Sequence, residues 1–129
     1  MTEAVSEMVA KYRATLIEMD ANRIEVGGIP ERWNRLVNRL QALQLKLRET
    51  PDGQASITEL IDDENATVRA WSATFALAWE PRRAVAALEA LAESNEGLTS
   101  FYARVTLSEY RKGRLRTDWD PKDRGQRKV

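Results

Sequence analysis

The stretch from Asn65 to Trp79, NATVRAWSATFALAW, carries apolar residues on nearly every side of a helix. At about 100° per residue, Val68, Trp71, Ser72, Phe75 and Trp79 share one side, and Ala70, Ala73 and Leu77 take the other. A helix apolar all round must be covered on several sides. It is shorter than the roughly 18 apolar residues of a membrane span, and Arg69 interrupts it. The pattern predicts the central helix of a small helical body, with the rest of the chain packed around it.

The flanking segments repeat the helical period. Over residues 3–24, Val5, Met8, Val9, Tyr12, Leu16 and Met19 recur at three- and four-residue steps, and Gly27-Gly28 stops the helix. Pro30 opens a second helix with an inward stripe of Trp33, Leu36, Val37, Leu40, Leu43 and Leu47, and Arg32, Arg35, Arg39, Lys46 and Arg48 on its wet side. Thr50-Pro51-Asp52-Gly53 reads as a turn. A short third helix buries Ile57, Leu60 and Ile61, and Asn65 is placed to cap the central helix. Glu80-Pro81 ends that helix. A fifth, from Pro81 to Glu93, buries Ala84, Val85, Leu88, Leu91 and Ala92. A sixth, Thr99 to Arg111, offers Phe101, Tyr102, Val105 and Tyr110, with Gly113 as the residue that closes it. No alternating strand pattern occurs, so the expected class is all-α: about six antiparallel helices, as a HEAT-like α-solenoid fragment or a compact bundle. The expected division is a helical domain over residues 1–115 and a basic polar tail over 116–129, extended or disordered, with Trp119 docking back on the body.

Composition narrows the chemistry. The chain has 129 residues with neither cysteine nor histidine, which removes disulfides, thiolate metal sites, thiol nucleophiles and the commonest general base. No GxSxG, SxxK, P-loop or GxGxxG arrangement is present, so no catalytic or cofactor-binding residue is assigned and no enzyme is expected. Basic and acidic residues balance at 20 each, but unevenly: residues 111–129 hold a local excess of five positive charges, leaving the body mildly acidic. No secretory signal pattern opens the chain, and the expected compartment is the cytoplasm.

Leu60 to Arg69, LIDDENATVR, followed by Ser72-Ala73, resembles the turn and second helix of a HEAT repeat, in which an acidic turn caps the second helix. In it, Arg69 can reach acidic groups at the repeat junction. Together with Trp33-Asn34-Arg35-Leu36 and the alanine- and leucine-rich helix from Pro81 to Leu91, the chain from about residue 5 to 113 resembles a family of small bacterial proteins classed as a HEAT-like domain of unknown function. Members are often encoded beside toxins and regarded as immunity proteins, so the resemblance implies neutralisation of a cognate toxin. The basic tail after Gly113 departs from that pattern.

The acidic group Asp62, Asp63 and Glu64, near Glu59, has two readings: caps on a solvated turn, or a patch facing a partner. It makes a poor metal site, since adjacent carboxylates at a turn do not converge on one point. Trp33, Trp71 and Trp79 sit where core residues sit; Trp71, at the stripe's edge, is the best interface anchor among them. Asn34 and Arg35 suit either an interhelical hydrogen bond or a recognition surface. The expected partner is a toxin domain, held through Glu59, Asp62, Asp63, Glu64, Trp71 and Glu96, with acidic side chains complementing a basic cleft. The alternatives are a nucleic-acid-binding helical-repeat module using the tail and Arg32, Arg35 and Arg39, against which the acidic body argues, and a scaffold or adaptor. No membrane association, metal or cofactor is expected.

Overall fold

The computed structural model describes residues 2–122. The chain is all-α: helices α1 (Glu3–Ala21), α2 (Pro30–Leu47), α3 (Pro51–Glu59), α4 (Ala66–Ala76), α5 (Pro81–Glu93) and α6 (Leu98–Arg111), with short 3-10 turns at Ile24–Val26 and Leu60–Asp62. No strand occurs among the described residues. No helix among them is long and apolar enough to cross a membrane.

The helices fall into two compact units. Of the described residues, one comprises residues 2–53 together with residues 118–122, and the other comprises Gln54–Thr117; the boundary runs inside α3.

In the first unit α1 packs on α2. Thr2 caps α1 by accepting the Val5 N–H at 3.1 Å. Tyr12, Leu16 and Met19 of α1 and Leu36, Val37, Leu40 and Leu47 of α2 are buried, as the periodicity predicts. Trp33 and Leu43 are only half-buried. The first helix stops at Ala21, short of Arg23 and Ile24, because the Asn22 side chain turns back to the Glu18 carbonyl and the next residues tighten into the 3-10 turn that Gly27 closes. Two residues with no part in the apolar pattern, Gln41 and Gln44, are fully enclosed in α2, and Arg48, expected in solvent, is half-buried beside them.

The predicted turn at Thr50–Gly53 is instead the first turn of α3. The Thr50 hydroxyl accepts the Gly53 N–H at 3.1 Å, as an N-cap does, and proline suits the first helical position. Gly53 is required by proximity: a Cβ there would lie 1.8 Å from the Leu47 carbonyl oxygen.

In the second unit α4 is the hub, packed against the Leu60–Asp62 turn, α5 and α6. Its coverage accounts for the all-round apolar pattern: Val68, Ser72, Ala73, Phe75 and Ala76 are all buried. The Asn65 side chain accepts the Val68 N–H at 3.1 Å, the expected cap. Regular helix ends at Ala76, and a turn carries the chain to Glu80 before Pro81 starts α5. Trp79 is half-buried, and its indole N–H donates to the Thr58 hydroxyl at 2.9 Å. Ala84, Leu88 and Leu91 of α5 meet Ala103 and Leu107 of α6 in one cluster with Ile61, Ala73, Ala76 and Leu77.

The sixth helix turns its large apolar residues outward. Its buried residues are Thr99, Ser100, Ala103 and Leu107, while Phe101, Tyr102 and Val105 point to solvent. Small side chains let α6 approach the alanine-rich α5 closely, and the large ones are left outside. The helix closes on Gly113, at φ 71°, with Gly113 N–H on the Tyr110 carbonyl and Arg114 N–H on the Glu109 carbonyl, the paired bonds of a left-handed cap.

Candidate partner-binding surface

All six sequence-assigned partner residues lie in the second unit, and most of their polar groups are already engaged there. Arg69 projects from the first turn of α4. Its Nη1 donates to the Asp63 and Glu64 carbonyls, both at 3.0 Å, and its Nη2 donates to the Glu96 carboxylate at 3.3 Å. One guanidinium therefore pins the turn before α4 to the turn before α6. The Asp63 carboxylate accepts the Asn65 N–H at 3.0 Å, folding the turn that presents the cap. The Asp62 carboxylate accepts from Arg83 of α5.

This arrangement bears on both readings of the acidic turn. Asp63 and Glu96 hold the fold together, and Asp62 has its charge offset by Arg83, so the patch presents less negative field than its sequence suggests. Glu59 and Glu64 remain solvent-exposed. Among the described residues no group of three or more His, Cys, Asp or Glu side chains is placed to hold a metal ion. Trp71 is half-buried, its ring 6.0 Å from that of Phe75 and tilted at 45°, so only part of the indole is open to a partner.

The more conspicuous surface lies on the outer face of α6. Leu98, Phe101, Tyr102 and Val105 recur at three- and four-residue steps along α6 and are 40%, 48%, 53% and 42% exposed. The Phe101 and Tyr102 rings meet edge to face with centroids 5.5 Å apart, which fixes them as one aromatic platform. Such a stripe leaves on the order of 300 Å² of apolar surface in water, the size of the largest patch on a typical monomer. A signal was available: Thr99, Ser100, Ala103 and Leu107 form a second stripe on the opposite side, and smallness marks a close helix contact as well as hydrophobicity does.

Beside α6 runs an open groove of about 520 Å³ lined by Glu89, Ala92, Glu93, Arg104, Leu107, Ser108, Arg111 and Lys112. Arg104 caps the end of α5 by donating to the Ala92 carbonyl at 2.8 Å, and Arg111 pairs with Glu89 at 2.9 Å. The α5–α6 turn is fixed by Ser100, whose hydroxyl donates to the Ser94 carbonyl and accepts the Glu96 N–H. The aromatic platform therefore stands on a rigid base.

The basic residues proposed for nucleic acid are partly neutralised. Arg39 lies 3.7 Å from Glu18, and Arg114 grips both oxygens of Glu109 at 2.8 and 3.2 Å. Arg32, Arg35, Arg116 and Lys122 are exposed. Arg124, Arg127 and Lys128 lie outside the described residues.

Comparison of the chain with protein-family models, curated proteins and solved structures returns no match.

Proposed function

We propose that this chain is a protein-binding module that works by covering its partner, most concretely an immunity protein that neutralises a cognate toxin by occluding its active site. The observation that carries the reading is the row Leu98, Phe101, Tyr102 and Val105 on the outer face of α6. Large aromatic side chains held rigidly at the surface are the usual anchors of protein interfaces, where a few residues carry most of the affinity. A patch of on the order of 300 Å² supplies the centre of an interface that typically buries about 800 Å² per partner, with polar neighbours forming the rim. Among the residues singled out from sequence, Glu59 and Glu64 are exposed and Trp71 is partly open, while Asp62, Asp63 and Glu96 are also engaged within the fold. The resemblance to HEAT-like immunity proteins supplies the toxin as partner, the cytoplasm as the setting and a bacterial source.

The test uses the whole chain, tagged, as bait in a lysate at roughly physiological salt after nuclease treatment. One stoichiometric protein partner is expected, its toxicity relieved by co-expression of this chain, and both effects lost in the double variant F101S/Y102S. Recovery of nucleic acid alone from untreated lysate, with no protein partner, overturns the reading.

A further inference from the structure

In the first unit the chain beyond α6 returns to α2, and the contact is built from buried polar groups. Gln41 Nε2 donates to the backbone carbonyl of Trp119 at 2.7 Å. Gln44 Nε2 donates to Gln41 Oε1 at 3.0 Å, and Arg48 Nη1 donates to Gln44 Oε1 at 3.3 Å. Gln41 and Gln44 stand on α2 and Arg48 is its C-cap, at spacings of three and four residues, and so they form a single file along one face. Gln41 is 2% exposed and Gln44 fully buried. Burial lowers the pKa of Arg48, and the nearby Asp118 carboxylate pulls it partly back. Trp119 is half-buried, and beyond it Asp120 accepts the Lys122 N–H at 2.9 Å, turning the chain.

Buried glutamines are an expensive way to hold two apolar surfaces together, since each amide taken from water must recover its hydrogen bonds. What they supply is selectivity. Gln41 asks for a main-chain carbonyl, and the Arg48 charge favours a carboxylate at the preceding residue.

We propose that this file on α2 is a recognition site for a short extended peptide of acidic-aromatic type, Asp-Trp followed by an acidic turn, which the chain's own residues 118–122 fill in cis. The chemistry of the ligand is read from its resident occupant: a carbonyl for Gln41 and a half-buried indole, with the Asp118 carboxylate in the field of Arg48. A segment of the same chemistry from another chain enters only when the resident segment leaves. The tethered segment competes at an effective concentration on the order of millimolar, so it screens the site against weak ligands. The proposal is independent of the α6 surface.

The experiment titrates a fluorescein-labelled peptide of residues 116–122, RTDWDPK, into the full chain and reads anisotropy. The full-length double variant D118A/W119A, whose own segment keeps the Trp119 carbonyl but loses the carboxylate and the indole and so competes weakly, is expected to bind at least about tenfold more tightly than the unaltered chain, as weakening of a cis competitor requires. Adding Gln41→Leu is expected to abolish that gain. Equal binding by the unaltered chain and the double variant, no binding by a cooperatively folded double variant, or indifference to Gln41→Leu each overturns the proposal. Should the double variant fail to fold, the unaltered chain labelled with fluorotryptophan serves instead. Unlabelled peptide is expected to shift the Trp119 fluorine resonance, assigned with Trp119→Phe, toward its solvent position; a resonance unmoved at about 1 mM peptide overturns the proposal.

Discussion

Arg69 reaches Glu96 across 27 residues of sequence, at 3.3 Å, while its other nitrogen holds the carbonyls of Asp63 and Glu64. The carboxylate is 40% exposed and screened by water, so the ion pair contributes less than the two carbonyl bonds. Arg69→Met is expected to cost about 1–2 kcal/mol, a fall in melting temperature of roughly 5–10 °C. Glu96→Gln is expected to cost under about 1 kcal/mol. Thermal unfolding of the two variants separates the contributions, and equal losses would show that the ion pair dominates.

In most helices, replacing glycine by alanine stabilises by roughly 0.5–1 kcal/mol. At Gly53 the sign reverses, because a Cβ would meet the Leu47 carbonyl oxygen at 1.8 Å and its carbon at 2.5 Å, both backbone atoms that cannot swing aside. Gly53→Ala is expected to destabilise by about 1–3 kcal/mol in urea titration. A neutral or stabilising result would mean that α3 begins differently.

The aromatic platform on α6 contributes to binding rather than to the fold. F101S/Y102S is expected to leave the urea midpoint nearly unchanged, within about 0.5 kcal/mol. Partner affinity is expected to fall at least about thirtyfold, the loss of one interface anchor. A large loss of stability would return these residues to the core.

Thr58 and Trp79 meet through a hydroxyl and an indole N–H 2.9 Å apart. Thr58→Val keeps the shape and removes the acceptor, at a cost of about 1 kcal/mol. Trp79→Phe removes the donor, and the double-mutant cycle is expected to show positive coupling.

The turn Arg23–Gly28 carries a pH signature. The Glu25 carboxyl titrates below its ordinary value of 4.5, because the Glu25 backbone N–H first, and the Arg23 guanidinium at 2.8 Å with it, favour the charged form over the opposing effect of burial. A depressed folded value means that the contribution is complete above the ordinary carboxylate range and lost as pH falls through the folded value. The amide resonance of Gly27 is expected to move in acid with an apparent midpoint below 4.5, and Glu25→Gln is expected to abolish that step.

Helical period alone places all six helices, and small polar residues mark their starts, as at Asn65. What the pattern misreads has physical causes. On α6 the apolar pattern leaves open which side is buried, and contact between closely packed helices selects Ser100 and Ala103 and leaves Phe101 outside. At Thr50–Gly53 the turn residues are the same ones that cap and begin a helix, so composition does not distinguish them. Gln41 and Gln44 interrupt no apolar stripe, and their partner lies 78 residues from Gln41, a separation no local pattern reports. The acidic turn was legible as a set of caps within reach of Arg69, but its contact with Arg83, 21 residues from Asp62, was not, because that arginine finds it only in three dimensions.

The first unit is discontinuous, with 64 residues of the second unit threaded between its two pieces. At a synthesis rate of about 5–20 residues per second, the ribosome delivers Asp118 roughly 3–13 s after Gly53. During that interval α1 and α2 lack the segment that satisfies Gln41, while α4, α5 and α6 emerge with everything their own unit needs. The part of the chain made first is therefore finished last.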